Sequence, residues 1–156
     1  MARRSKEFEE RGVKMLGLSV DSVYSHLAWF DSIKQTFGID VTFPVIADID
    51  LKVARLYGMV SAESGTAPVR SVFFIDREST IRATITYPAP IGRNIAELLR
   101  VFDAFQENVS GCALPANWTP GQPTLSPAPM TVESLQKRWE SQGENGYKAW
   151  YYKVNE

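Results

Sequence analysis

The hydrophobic pattern is set by two neighbouring runs in the middle of the chain. Residues 69–76 (Val69, Arg70, Ser71, Val72, Phe73, Phe74, Ile75, Asp76) are apolar on both faces for most of their length. That is the pattern of a strand covered on two sides. Residues 81–88 alternate instead. Ile81, Ala83, Ile85 and Tyr87 share one face, and Arg82, Thr84 and Thr86 share the other, which predicts a strand with one wet face. The break between the runs (Arg77, Glu78, Ser79, Thr80) is polar and short, so the two predict a hairpin. Arg70 departs from the pattern, because it falls on the same face as Val72 and Phe74. A guanidinium taken out of water is costly unless it is paired, so this position calls for an explanation.

The remaining pattern alternates strand and helix. Residues 2–11 are charged and helix-favouring, with Phe8 as the one strong apolar side chain and Gly12 as the stop. They read as the last turns of a helix whose beginning is absent. Residues 13–20 form an apolar strand. A helix over about 23–36 follows, capped by Asp21 or Ser22. Its expected core stripe is Val23, Leu27, Phe30, Ile33 and Phe37, and Gly38 ends it. Residues 43–47 are a short strand led by Pro44. Asp50 caps a short helix over 51–57, stopped by Gly58, and 61–68 are a Ser/Gly/Ala/Pro loop. After the hairpin, Asn94 starts a helix to about 107, with Glu97 completing a capping-box-like pair.

Beyond residue 108 the composition changes. Residues 114–129 are Pro-rich and extended, 131–142 are a polar helix that Thr131 to Ser134 can cap, and 147–154 are an aromatic, strand-like end. Four large aromatics so near a terminus are expected to pack on the domain or on a partner. The order is α/β, a mostly parallel sheet with an antiparallel edge. Its β-β-α ending resembles the second half of a thioredoxin-like fold. The expected division is a core over 1–108 and a C-terminal extension over 109–156.

Composition narrows the chemistry. The formal net charge is −1 over 156 residues, with no basic stripe, so nucleic acid is not an expected partner. No apolar run is long enough to span a membrane and no apolar signal core opens the chain. A cytoplasmic setting is expected. One cysteine, Cys112, and one histidine, His26, exclude an internal disulfide and leave little for a metal centre. His26 reads as a packed helix residue, and no cofactor is expected. There is no dinucleotide fingerprint, phosphate loop, nucleophile elbow or zincin motif. Asp48 and Asp50 flank a helix start and read as caps.

Several stretches together resemble the peroxiredoxin family, specifically its one-cysteine subgroup with a C-terminal appendage. They are residues 11–22 (with Gly17, Ser19, Asp21 and Ser22), Ser25-His26-Leu27-Ala28-Trp29, Phe43-Pro44-Val45-Ile46-Ala47-Asp48, and residues 54–59. Residues 69–76, Tyr87-Pro88 with Gly92-Arg93-Asn94, and Pro115-Ala116-Asn117-Trp118 continue the series. The match runs in unbroken order over about 3–122 and is weak beyond. The resemblance implies a thioredoxin-like fold and the reduction of hydrogen peroxide and alkyl hydroperoxides by a cysteine thiolate. An external thiol is the implied reductant, with no cofactor.

The resemblance also gives Arg70 a role. It matches an arginine that holds the cysteine as thiolate and stabilises charge as the O–O bond breaks. Arg93 matches a supporting arginine, or else bonds a local carboxylate. The family's nucleophile lies in a Pro-x-x-x-Thr-x-x-Cys segment, and Cys112 does not fit it: Val109 stands three residues before and Phe105 seven before. Cys112 reads as an inert small side chain or, failing that, an incidental redox thiol.

The chain is therefore expected to be an N-terminally truncated peroxiredoxin, inactive alone, whose fold is incomplete and lacks the N-terminal central strand. Without that strand, runs 13–20 and 69–76 either close on each other or leave an apolar edge open. The resemblance further implies a homodimer or higher homo-oligomer, with Ile85, Tyr87, Trp150 and Tyr152 as expected partner contacts. The alternative is a non-catalytic module that pairs with an intact subunit.

Overall fold

The computed structural model describes residues 1–60, 69–108, 111–141, 143 and 146–155. The loop expected at 61–68 and the helix end expected at residue 142 fall outside these. The chain divides into two compact units, Met1–Ile95 and Ala96–Glu156.

The first unit opens with a 3-10 turn, Ala2–Arg4, and α1, Ser5–Glu9. Phe8, the one strong apolar residue there, is buried, and Gly12 takes the left-handed conformation at φ 68° that favours glycine after a helix. Next come β1, Gly17–Ser19, α2, Val23–Phe37, and β2, Val45–Ala47. β1 and β2 pair in parallel, Gly17 opposite Val45. Ser22 caps α2, its side chain accepting the Ser25 amide hydrogen at 3.1 Å, and Gly38 closes it in the left-handed region.

The stripe expected to form the α2 core is a correction. Val23, Leu27 and Phe37 are 58%, 61% and 59% exposed, while His26 is the residue the helix buries. The cause is the size of the platform. Two strands of three residues offer a surface about 10 Å on a side, against a fifteen-residue helix about 22 Å long. One row of side chains is covered and the rest of the stripe is not.

α3, Lys52–Leu56, is held at its start by two aspartates. The buried Asp48 carboxylate accepts the amide hydrogens of Val53 and Ala54 at 3.0 and 2.7 Å, and Asp50 accepts that of Lys52 at 3.4 Å. Asp48 is the stronger cap, where the sequence pointed first to Asp50. β3, Arg70–Ile75, and β4, Ile81–Tyr87, form the expected hairpin, with a register shift at Phe74/Ile75. Along β4, Ala83, Ile85 and Tyr87 are half-buried, and Arg82, Thr84 and Thr86 are exposed.

A core cluster joins these pieces. Leu51, Ala54 and Met59 are buried, and Leu18 and Val20 pack on them together with Val60, Val69 and Phe73. Among the described residues no ladder links β1 to β3.

The second unit begins within α4, Ile95–Glu107, whose Leu98 and Leu99 are buried. Trp118 is buried as well, its indole N–H donating to the Gln122 carbonyl at 3.0 Å. β5, Thr124–Leu125, α5, Val132–Glu140, β6, Tyr147–Ala149, and β7, Tyr152–Asn155, follow. Thr131 and Ser134 make a full capping box at α5. The aromatic end is two strands around a turn, and β5 adds a third, in the order β5-β7-β6. β5 lies in the stretch expected to be plain extended loop, since the three residues between Pro123 and Pro127 carry no strand pattern of their own. β7 supplies the pairing, Leu125 opposite Val154. Trp150 and Tyr151, at the turn, stay 43% and 58% exposed.

Candidate active site

β3 places Arg70 at its first residue, directly opposite Tyr87 at the end of β4. Arg70 is exposed and not sunk into the core, which resolves the cost that the sequence pattern raised. Six residues past the end of β4, Arg93 is half-buried. Burial, and then the nearby positive charge of Arg70, hold its guanidinium below the ordinary arginine range, with Tyr87 opposing the shift. The hairpin thus brings Arg70, Tyr87 and Arg93 into one electrostatic neighbourhood. The α-amino group of Met1 belongs to it too: burial and the charges of Arg93 and Arg4 lower its pKa. Among the described residues no carboxylate bonds Arg70 or Arg93. The other hairpin end is balanced internally, where Arg82 pairs with Asp76.

This arrangement is an excess of positive charge aimed at solvent. Chemically it can bind an anion, lower the pKa of a neighbouring thiol or stabilise an oxyanion. Among the described residues this neighbourhood holds no cysteine. Cys112 lies in the other unit, buried, its thiol donating weakly to the Glu107 carbonyl at 3.6 Å. No group of His, Cys, Asp and Glu suited to a metal ion occurs among the described residues. A cleft of about 290 Å³ is lined by Glu9, Val13, Lys14, Met15, Thr42, Phe43 and Pro44, none of them a candidate site residue.

Sequence reasoning missed the partners of His26. Its Nε2 lies 2.5 Å from the Ser19 hydroxyl, which donates to the Asp21 carboxylate at 2.8 Å. The ring stacks on Phe30, centroids 6.3 Å apart. The closeness of Ser19, Asp21 and His26 across a strand end and a first helical turn was the available signal. Of the expected partner contacts, Ile85, Tyr87 and Tyr152 are half-buried and Trp150 is exposed at the β6–β7 turn.

Comparison with known proteins defines the class first. The solved structure of yeast mitochondrial 1-Cys peroxiredoxin matches at a TM-score of 0.84 and 36% identity, over 99% of this chain and 75% of that one. A mutant of peroxiredoxin 6 of Arenicola marina matches at 0.76 and 33%, over 87% and 66%. The fold is thioredoxin-like α/β. The AhpC/TSA family model matches residues 1–84, and that of the C-terminal domain of 1-Cys peroxiredoxin matches 104–142. A peroxiredoxin of Thermoplasma volcanium is 51% identical over 151 residues, covering 96% of this chain and 72% of the relative. Peroxiredoxin 2 of Thermoplasma acidophilum is 52% identical, covering 96% and 74%. The chain belongs to the peroxiredoxin family. Among the described residues no helix is long and apolar enough to cross a membrane.

Proposed function

We propose that this chain serves thiol-dependent reduction of hydrogen peroxide and alkyl hydroperoxides, with residues 1–156 supplying the arginine side of the site. The observation that carries this is the uncompensated pair Arg70 and Arg93 at one end of the β3–β4 hairpin, in a chain of this family. Arg70 is the thiolate- and peroxide-stabilising residue, and Arg93 supports it. A thiolate attacks one peroxide oxygen, the O–O bond breaks, and the leaving alkoxide takes a proton to become alcohol, or water from hydrogen peroxide. The sulfur is left as sulfenic acid. Two equivalents of an external thiol then return it to thiol, forming a disulfide and water. The arginines stabilise charge on both the attacking sulfur and the departing oxygen. No cofactor enters.

The thiolate comes from outside residues 1–156, because Cys112 does not stand in the family's Pro-x-x-x-Thr-x-x-Cys pattern and is buried with its thiol on the Glu107 carbonyl. The polypeptide of these residues alone is therefore inactive. The test is a chimera in which residues 1–156 replace the matched 72% of the Thermoplasma volcanium peroxiredoxin. It should consume peroxide with dithiothreitol as reductant. Arg70→Ala should lower kcat/KM by about 10²-fold, the scale of one oxyanion-stabilising group, and Cys112→Ser should leave it unchanged. A folded chimera without peroxidase activity, or one indifferent to Arg70→Ala, overturns the reading.

The protein is proposed to form homodimers or larger homo-oligomers through β4, with Ile85 and Tyr87, and through Trp150 and Tyr152. The support is that, among the described residues, β4 pairs with β3 alone and that Trp150 stands 43% exposed. The C-terminal extension is placed at 109–156, which the 1-Cys C-terminal model over 104–142 supports. A cytoplasmic setting is proposed from the single cysteine. A second reading, a non-catalytic module that pairs with an intact subunit, is favoured by the unjoined β1 and β3.

A further inference from the structure

The four methionines of the chain sit in different surroundings. Met59 is 9% exposed and belongs to the buried cluster with Leu51 and Ala54. Met15 is half-buried and lines the cleft beside Phe43 and Pro44. Met1 is exposed before the 3-10 turn. Met130, at 93%, is the most exposed large hydrophobic side chain among the described residues.

The local structure explains that exposure. Met130 directly precedes Thr131, the cap of α5. An apolar residue at that place often packs on the fourth residue of the helix, here Leu135, and at this exposure it does not. The side of α5 that is held is a polar one, since Arg138 donates to the carbonyls of Pro127 and Trp150. At about 100° per residue, Val132 and Trp139 lie within about 20° of each other and about 120° and 100° round the helix from Arg138. Both are exposed. α5 therefore keeps an apolar row in solvent, and Met130 stands just before its first residue.

We infer that Met130 is a peroxide modification site, oxidised to the sulfoxide by hydrogen peroxide or an alkyl hydroperoxide and restored by a thiol-driven reductase. The step balances without a cysteine. A thioether lone pair attacks one peroxide oxygen, the O–O bond breaks and an S=O bond forms. The proton on the transferred oxygen passes to the departing one, which leaves as water or alcohol. Sulfur is oxidised and the peroxide reduced. A methionine sulfoxide reductase with two equivalents of thiol reverses the change, giving thioether, disulfide and water. Oxidation turns a flexible apolar side chain polar. At Met59 it would set a polar group in the core, whereas at Met130 the new oxygen meets water. The exposed thioether thus takes up and releases oxygen with the fold unchanged. This is a second peroxide-consuming cycle, and it rests on none of the thiolate chemistry above.

The test is peptide mapping of residues 1–156 during treatment with hydrogen peroxide. Met130 should gain one oxygen about tenfold faster than Met59, or more, with Met15 between them. The urea midpoint of the chain oxidised at Met130 should equal that of the reduced chain. Methionine sulfoxide reductases for both epimers, with dithiothreitol, should remove the oxygen. Met130→Leu alters a side chain that lies almost wholly in water, so the variant keeps the fold, and it should abolish the fast uptake. Four results would overturn the inference: Met59 oxidised as fast as Met130, the same fast uptake in Met130→Leu, a midpoint lowered by the sulfoxide, or a sulfoxide that the reductases leave in place.

Discussion

Arg100 grips the Glu97 carboxylate with two nitrogens, at 2.6 and 2.8 Å, and reaches the Trp118 carbonyl with a third at 3.1 Å. The Arg100 hydrogen bonds hold the Glu97 carboxyl below the usual carboxylate range, against a smaller opposing effect of burial. A folded-state pKa below the unfolded one stabilises above the unfolded value and loses that contribution as pH falls through the folded one. Both side chains are partly exposed, so screening limits the effect. Arg100→Ala should cost about 1 kcal/mol in urea unfolding at pH 7. The difference should shrink once the pH drops below about 4.3, leaving the share due to the Trp118 carbonyl. An unchanged difference at pH 3 would assign the whole effect to that carbonyl. At this scale the sequence was legible wherever a rule is local. Ser22 is one of the two caps that spacing allowed for α2, and Gly38 as a stop and Thr131 with Ser134 as a cap follow from spacing alone. Asp48 taking the larger share of the α3 cap did not, because its reach of five and six residues depends on how the chain turns after β2.

Among the elements, α2 separates pattern from packing most clearly. Its Ser22 cap, its Gly38 stop and its length were readable, yet Leu27 is 61% exposed while Leu98 of α4 is fully buried. Both residues look like core positions by periodicity. Leu27→Ala should therefore cost under about 1 kcal/mol, whereas Leu98→Ala should cost about 2–5 kcal/mol. Chemical denaturation midpoints of the two variants check this. Comparable losses would mean that Leu27 is covered in solution, as a bound strand or partner would cover it. Periodicity reports which face a helix would bury, and only the sheet beneath decides how much of it is. The hairpin was the opposite case. β3 and β4 carry their own register in their alternation, and the structure departs from it only by the shift at Phe74/Ile75.

For the molecule as a whole, the α/β order and the family were legible because motifs spread over most of the chain agree with one another. The placement of Arg70 and Arg93 was legible only through that resemblance. No spacing in the sequence says that residues 70 and 93 share a charge environment; the turn that sets Tyr87 opposite Arg70 does. The three-stranded sheet of the second unit was hidden for a related reason, since β5 is two residues long and exists because β7 reaches it.

The two sheets of the first unit also differ in how they can form in time. β3 and β4 are joined by a break of a few residues, and such a hairpin closes in about 1–10 μs. β1 and β2 meet only after the whole of α2 has been laid down between them, and parallel pairs of this kind gain contacts after the loop has been closed. The hairpin is therefore the early structure in folding, and β1–β2 docks onto it late. Conservative truncations at Phe74 should slow folding, with φ-values above about 0.5, while truncations at Ile46 should mainly speed unfolding. The reverse ordering in stopped-flow chevrons would show that the βαβ crossover, and not the hairpin, nucleates the chain.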